Sequence, residues 1–406
     1  MTFSKFKLYI PSSLLILCFF SCQNQKTPQV PESENRLEFN AFIESLENEF
    51  IYYDDKKSVI DCIKQTYVQD ADTLSHPYYK VLFYETILNE LYDSHISLNT
   101  NTGESYRLSS PIHVEVKNEG VVIKNVFSSQ IDYSFSENII GAEVLSLNGM
   151  DFQEVISAFP SKCHHKDDPQ VKEWLANKIL AGKRNEPRVL KLKLKGGGLI
   201  DLDIDLLILK EENTLLSSYT IDNVGVIRIN NALGNSDLVD AFDKALNDMM
   251  HTDAMILDLR NTFNGGNTGV AEPIMGRFIS ERKGYQICEN TDEKYTKYTE
   301  PRQQVYDKPL YVLAGRWTGS MGEGMTIGLE GMERATVVGT ELNRLAGGMT
   351  NIKLLNSKFG FNVSFEKLYH MNGTLREKYV PAAYVIQETV TEDAFLNYAL
   401  ELIEKK

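Results

Sequence analysis

Two glycine-rich turns hold the groups of this chain best suited to covalent chemistry. The first, Arg260-Asn-Thr-Phe-Asn-Gly-Gly266, ends the apolar run Ala254-Met-Ile-Leu-Asp-Leu259. The second, Gly315-Arg-Trp-Thr-Gly-Ser-Met-Gly-Glu323, follows Leu310-Tyr-Val-Leu-Ala314. Ser320 sits in the second turn between small residues, where a serine is either a helix cap or a nucleophile. As a nucleophile it needs a neighbour that takes its proton. Imidazole titrates near neutrality and suits that task. Cys163-His164-His165-Lys-Asp167-Asp168 suggests metal ligation. However, adjacent histidines point apart and no second ligand pair has helical spacing, so no metal and no cofactor is expected. Asp258 and Arg260 read as an ion pair that positions the first turn, and Glu323 as structural.

The elements around these turns set their geometry. From about residue 213 to 406, buried strands alternate with helical patterns, which implies an α/β block with a largely parallel sheet. Chemistry in such sheets sits at the carboxyl ends of the strands, where both turns lie. Ser236 is the expected cap of a helix with Leu238, Val239, Phe242, Leu246 and Met249 on one face. From 36 to 108 the apolar spacing is helical, with Phe39, Phe42, Ile43, Leu46 and Phe50 as one stripe and Val59, Ile60, Ile63 and Tyr67 as another. From 109 to 212 the period shortens to that of strands, and Gly196-Gly197-Gly198 reads as a hairpin turn. Within that block, Gly141 to Met150 and the helical pattern after it resemble the strand, Asn-Gly turn and helix of a PDZ domain, a module that binds peptides by strand addition.

A chain of 406 residues is too long for one ordinary domain. A net charge of −14 argues against a nucleic-acid partner. Five cysteines are too few for a disulfide scaffold, and Cys62, Cys163 and Cys288 are odd in number, so at least one thiol stays free or pairs between chains. Residues 1–21 read as an export signal: Lys5 and Lys7 precede the apolar run Leu8 to Phe20, which is short for a bilayer span. Ser21-Cys22 at its end resembles a bacterial lipobox, which implies cleavage before Cys22 and lipidation of its thiol. Residues 22–35 then form a polar, proline-containing tether. Loss of Lys5 and Lys7 takes the mature net charge from −14 to −16. The expected location is the cell envelope, on a membrane and facing the periplasm or the surface. The oligomeric state is open.

Asp258-Leu-Arg-Asn-Thr-Phe-Asn-Gly-Gly266, Thr318-Gly-Ser-Met-Gly-Glu323, Ala335 to Gly348 and Leu91-Tyr-Asp-Ser-His-Ile96 together resemble, in order and spacing, the C-terminal processing (tail-specific) peptidases and tricorn-like serine proteases. The resemblance implies a ClpP/crotonase-like α/β catalytic domain (213–406) with a helical domain (36–108) and a PDZ-like domain (109–212). It implies Ser320 as nucleophile and an oxyanion hole from Gly265 or Gly266 and the amide of Met321, whose side chain is expected to narrow the pocket. The processing branch uses a lysine about twenty-five residues after the serine. Here no lysine occurs between Lys308 and Lys353, Leu345 holds that spacing, and the adjacent Arg344 cannot act as a base. The tricorn-like branch uses a histidine assisted by a serine and a glutamate, which implies His95, Ser94 and Glu377. The activity implied is an exported endopeptidase acting on unfolded or C-terminal segments of protein or peptide substrates. The alternative is a peptide-binding lipoprotein on the same fold that has lost catalysis.

Overall fold

The aromatic stripes of the first block close a helical core. In the computed structural model, which describes residues 1–2 and 32–405 apart from 119 and 211, helix Glu34–Glu49 buries Phe39, Phe42, Ile43 and Leu46. Helices Tyr53–Thr66 and Pro77–Asn89 meet it through Val59, Ile60 and Ile63 and through Tyr84, Ile87 and Leu88. Each such side chain contributes roughly 1.5–3 kcal/mol by leaving water. Leu354, Phe361 and Val363 complete this core, so the helical block and the last block share one interior. Residues 3–21 of the expected export signal, and Cys22, lie outside the described residues. Among the described residues no helix is long and apolar enough to cross a membrane.

The last block is the expected α/β layer. Strands Val224–Ile229, Ala254–Asp258, Leu310–Ala314, Ala335–Gly339 and Ala383–Tyr384 run parallel, and Leu216–Ile221 adds an antiparallel edge. Helices Leu238–Asp248, Thr268–Met275 and Met321–Gly331 cover one face, and Ala394–Glu404 covers the other. Both faces are therefore dry, and Ala254–Asp258 and Leu310–Ala314 are buried at every position. The helix after residue 236 starts one residue later than expected: Asp237 is its cap residue, and its backbone N–H is held by the Asn235 carboxamide.

Residues 112–203 form an antiparallel sheet, with strands Ile112–Lys117, Gly120–Val126, Glu143–Leu147, Val189–Lys193 and Leu199–Asp203 in that spatial order. Helices Phe152–Ser157 and Pro169–Ala181 pack on it. Asn148 and Gly149 both have positive φ, the geometry of a tight hairpin turn. Among the ties between this block and its neighbours, Phe127 stacks on Trp317 with ring centroids 4.6 Å apart, and Cys62 forms a disulfide with Cys163. Cys163 is thus a covalent staple and not a metal ligand, and Cys288 is the free buried thiol among the described residues.

Candidate active site

Adjacent parallel strands deliver both glycine-rich turns to one edge of the sheet. Ala254–Asp258 pairs with Leu310–Ala314, so residues 260–266 and 315–321 leave side by side. The Thr262 N–H donates to the Trp317 carbonyl at 3.2 Å, the Gly319 N–H to the Thr262 carbonyl at 3.3 Å and the Thr318 hydroxyl to the Leu259 carbonyl at 3.0 Å. Arg260 grips Asp258 through Nε and Nη2 and grips Asp393 through both terminal nitrogens, which anchors the first turn as expected.

Ser320 has φ 49° and ψ −109°, a conformation that costs a residue with a Cβ on the order of 1–3 kcal/mol. Its N–H donates to Glu323 Oε2 at 2.8 Å, and Glu323 Oε1 accepts from the Arg344 N–H at 2.9 Å. Glu323, fully buried, therefore clamps the serine elbow to the loop after the next strand. Burial raises its carboxyl to about 7, against the pull of Arg376 and of the backbone donors.

Gly265 lies against Ser320: a Cβ on it would sit 2.5 Å from the serine Cβ and 3.3 Å from the Met321 nitrogen, and its φ of +66° favours glycine. Its own N–H is spent on the Thr262 carbonyl at 2.8 Å. Among the described residues the Gly266 and Met321 amides meet no acceptor. Of the two glycines, Gly266 is thus the free donor and Gly265 the hinge that lets the turn approach. The Met321 side chain does not narrow the opening as expected. It is buried in the sheet-helix core and folds over Gly324.

His95 arrives from the helical block. Ser97 and Leu98 pair antiparallel with Asn362 and Phe361 of strand Gly360–Tyr369, which sets the register of the loop before them. The His95 N–H donates to Asp93 Oδ1 at 2.8 Å, and its Nδ1 lies 2.9 Å from the Ala346 carbonyl. A carbonyl only accepts, so Nδ1 carries the proton and Nε2 keeps its lone pair. Burial, and secondarily the Arg376 guanidinium, hold this imidazole at about 4. Asp93 is pushed up to about 6, chiefly by burial and further by Glu377, while the His95 N–H and Lys56 oppose the shift.

Arg376 is the residue that sequence reasoning missed. It is buried, and it donates to the Ser320 carbonyl at 3.3 Å and to the Leu345 and Gly347 carbonyls at 2.7 and 2.8 Å. The loop that it holds is the one whose Ala346 carbonyl holds His95, so one guanidinium frames both residues. A single arginine in a polar turn carries no periodic signal, and only its place beside Glu377 pointed to it.

The two assisting residues sit differently from the expected arrangement. The Ser94 hydroxyl accepts from the Trp174 indole N–H at 3.1 Å and makes no contact with Nδ1 of His95, which the Ala346 carbonyl occupies. Glu377 lies on the turn Arg376–Lys378, accepts from the Tyr52 hydroxyl at 2.9 Å and has Oε2 buried without a partner. Lys353 is exposed at the end of a hairpin strand, opposite Gly360. Of the Cys163-His-His cluster, His164 is turned to Glu90, 3.1 Å from its Oε2.

The model of peptidase family S41 matches residues 223–385, which hold both glycine-rich turns, the 345–347 loop and Glu377. Mature CPAF is similar in structure over 91% of this chain and 96% of its own, with a TM-score of 0.61 at 14% identity. The photosystem II D1 C-terminal processing protease is similar over 88% of this chain and 94% of its own, with a TM-score of 0.55 at 14% identity. These likenesses extend the shared fold from the matched segment to almost the whole chain. The paired turns on a parallel sheet, within the matched segment, are those of a serine-type peptidase. It is this segment, residues 223–385, that is similar to peptidase family S41.

Proposed function

We propose that this chain is an exported endopeptidase in which Ser320 is the nucleophile and His95 the general base. The observation that carries the reading is the pair of open amides, Gly266 and Met321, at a serine held in a strained elbow. Nε2 of His95 takes the hydroxyl proton as Ser320 Oγ attacks the scissile carbonyl. The oxyanion forms where the two amides point. His95 then gives its proton to the leaving amine, and water attacks the acyl-enzyme by the same route. Arg376, Glu377 and Ser94 are positioning residues. Arg376 acts through the carbonyls of Ser320, Leu345 and Gly347, Glu377 through Tyr52 and the field at Asp93, and Ser94 through Trp174.

The substrates are unfolded or C-terminal segments of proteins in the cell envelope. The likeness to the D1 C-terminal processing protease supports C-terminal segments, and the antiparallel sheet of residues 112–203 supports a PDZ-like peptide-binding role. The Cys62–Cys163 disulfide supports an oxidising compartment, in keeping with the export signal and the lipobox at Cys22. The lipid anchor holds the protein on a membrane through the 22–35 tether.

A fluorophosphonate probe tests the reading. Wild type reacts, Ser320→Ala does not, and His95→Ala loses about as much turnover of an unfolded protein as Ser320→Ala, because members of one nucleophile unit are not additive. An unlabelled wild type that still binds peptides would make the chain a binding protein on this fold. Lys353→Ala leaves turnover unchanged.

A further inference from the structure

A cavity of about 160 Å³ opens behind the two glycine-rich turns. Its wall combines the end of strand Gly120–Val126 and residues 127–129, the start of the serine turn at Gly315–Trp317, and residues 387–395 before and into the last helix. A volume of this order takes a single aromatic ring or a short aliphatic chain. One side is apolar, with Phe127, Trp317, Val390 and Phe395.

The polar side is under-satisfied. Arg316 is only 8% exposed, yet its single hydrogen bond runs from Nη1 to the Leu342 carbonyl at 3.3 Å, and Nε is buried without a partner. Burial, with Arg344 beside it, lowers this guanidinium to about 10. Glu341 and Glu173 pull the other way, but neither hydrogen-bonds the guanidinium. Glu341 is held by Lys124 at 3.0 Å and by the Tyr384 hydroxyl at 2.9 Å, and Asp393 by Arg260 at 2.6 and 2.9 Å, while Glu392 is exposed at the rim. The last helix, Ala394–Glu404, begins at the cavity. Asp393 caps its Leu396 N–H, and the Ala394 and Phe395 amides meet no acceptor among the described residues. A buried cation with unused donors and a helix start with open amides call for an anion that presents two oxygens.

We propose that this cavity binds a carboxylate that carries a small apolar group. The carboxylate meets Arg316 and the start of the last helix, and the apolar group lies against Phe127, Trp317 and Phe395. The shared chemistry fits either a free organic acid or the carboxyl end of a polypeptide.

Calorimetry on the mature chain carrying Ser320→Ala tests this without relying on catalysis. The probes are 3-phenylpropionate and N-acetyl-alanyl-phenylalanine, each against its neutral amide. Both sources predict that acids bind at least about tenfold tighter than amides. The tighter of the two acids then names the source. Arg316→Met abolishes the preference, and Ser129→Phe, which fills the cavity and leaves Arg316 in place, blocks both acids. Melting curves show which variants are folded, and if Arg316→Met is not, Ser129→Phe decides alone. Equal binding of acid and amide, no saturable binding, or undiminished acid binding to the folded variants overturns the proposal.

Discussion

Arg376 affects His95, the proposed base, as well as Ser320, the proposed nucleophile. Its cation is the second cause, after burial, of the low pKa of His95, so the imidazole stays neutral down to about pH 4. Protonation removes the base, and the acid limb of kcat/KM is therefore expected well below the ordinary histidine range. Arg376→Gln removes the cation and raises the imidazole, so the limb moves to higher pH. Arg376→Lys keeps the charge and leaves the limb low, even though the lost fork lowers kcat. A limb that stays in place in Arg376→Gln, with only kcat reduced, would limit Arg376 to a steric role. A second test concerns Gly265. Gly265→Ala puts a methyl against Ser320 and displaces the turn that carries the open amide, and a loss of roughly 10²-fold in kcat is expected. Gly197, at φ +84° in a distant hairpin with nothing near its Cβ position, is the control: Gly197→Ala bears a comparable backbone cost and leaves kcat alone.

At the scale of elements, Glu323 stitches a helix start to a loop. Glu323→Gln turns one acceptor into an NH2 group that faces a backbone N–H, at a cost of about 1–3 kcal/mol in chemical denaturation. The carboxyl has a second signature. Its folded pKa of about 7 lies above the ordinary 4.5, so its contribution to stability is full below pH 4.5 and lost as pH rises to 7. The Gln variant removes that slope, and a slope that persists would assign it to another group. The disulfide is an independent staple. Replacing both cysteines by serine opens a loop of 101 residues and should lower stability by roughly 3–5 kcal/mol, with a loss below 1 kcal/mol arguing that the loop is held without it. These elements also mark what could be read in advance. The serine turn, the Gly-Gly turn and the Asp258–Arg260 pair are local in sequence, so strand, glycine and spacing betray them. Tyr52 meets Glu377 across 325 positions, Trp174 takes Ser94 across 80, and Cys62 finds Cys163 across 101. Such partners are chosen by packing and leave no trace in spacing. The Ser94 hydroxyl could have faced His95 on spacing alone, and a tryptophan on helix Pro169–Ala181 redirects it.

Across the whole molecule, the antiparallel block is not an appendage. It supplies Trp174 to Ser94, Phe127 to Trp317 and Cys163 to the disulfide. Deleting residues 110–210 is therefore expected to reduce probe labelling of Ser320 along with turnover of long substrates. Labelling at the wild-type rate would show that the site stands without it. The tether has its own test: Cys22→Ser frees the protein from membranes with catalysis intact, and mass spectrometry reads the lipid on Cys22 of the wild type.

His95 and Ser320 enter the site from opposite ends of the chain, and His95 is held in register by strand Gly360–Tyr369, which is made late in synthesis. Until that strand exists, Ser97 and Leu98 have nothing to pair with, and the 345–347 loop lacks Arg376. On the proposed assignment, a chain emerging from the ribosome therefore carries Ser320 before His95 can be seated beside it. The same pairing that builds the site also sets the order in which it is completed.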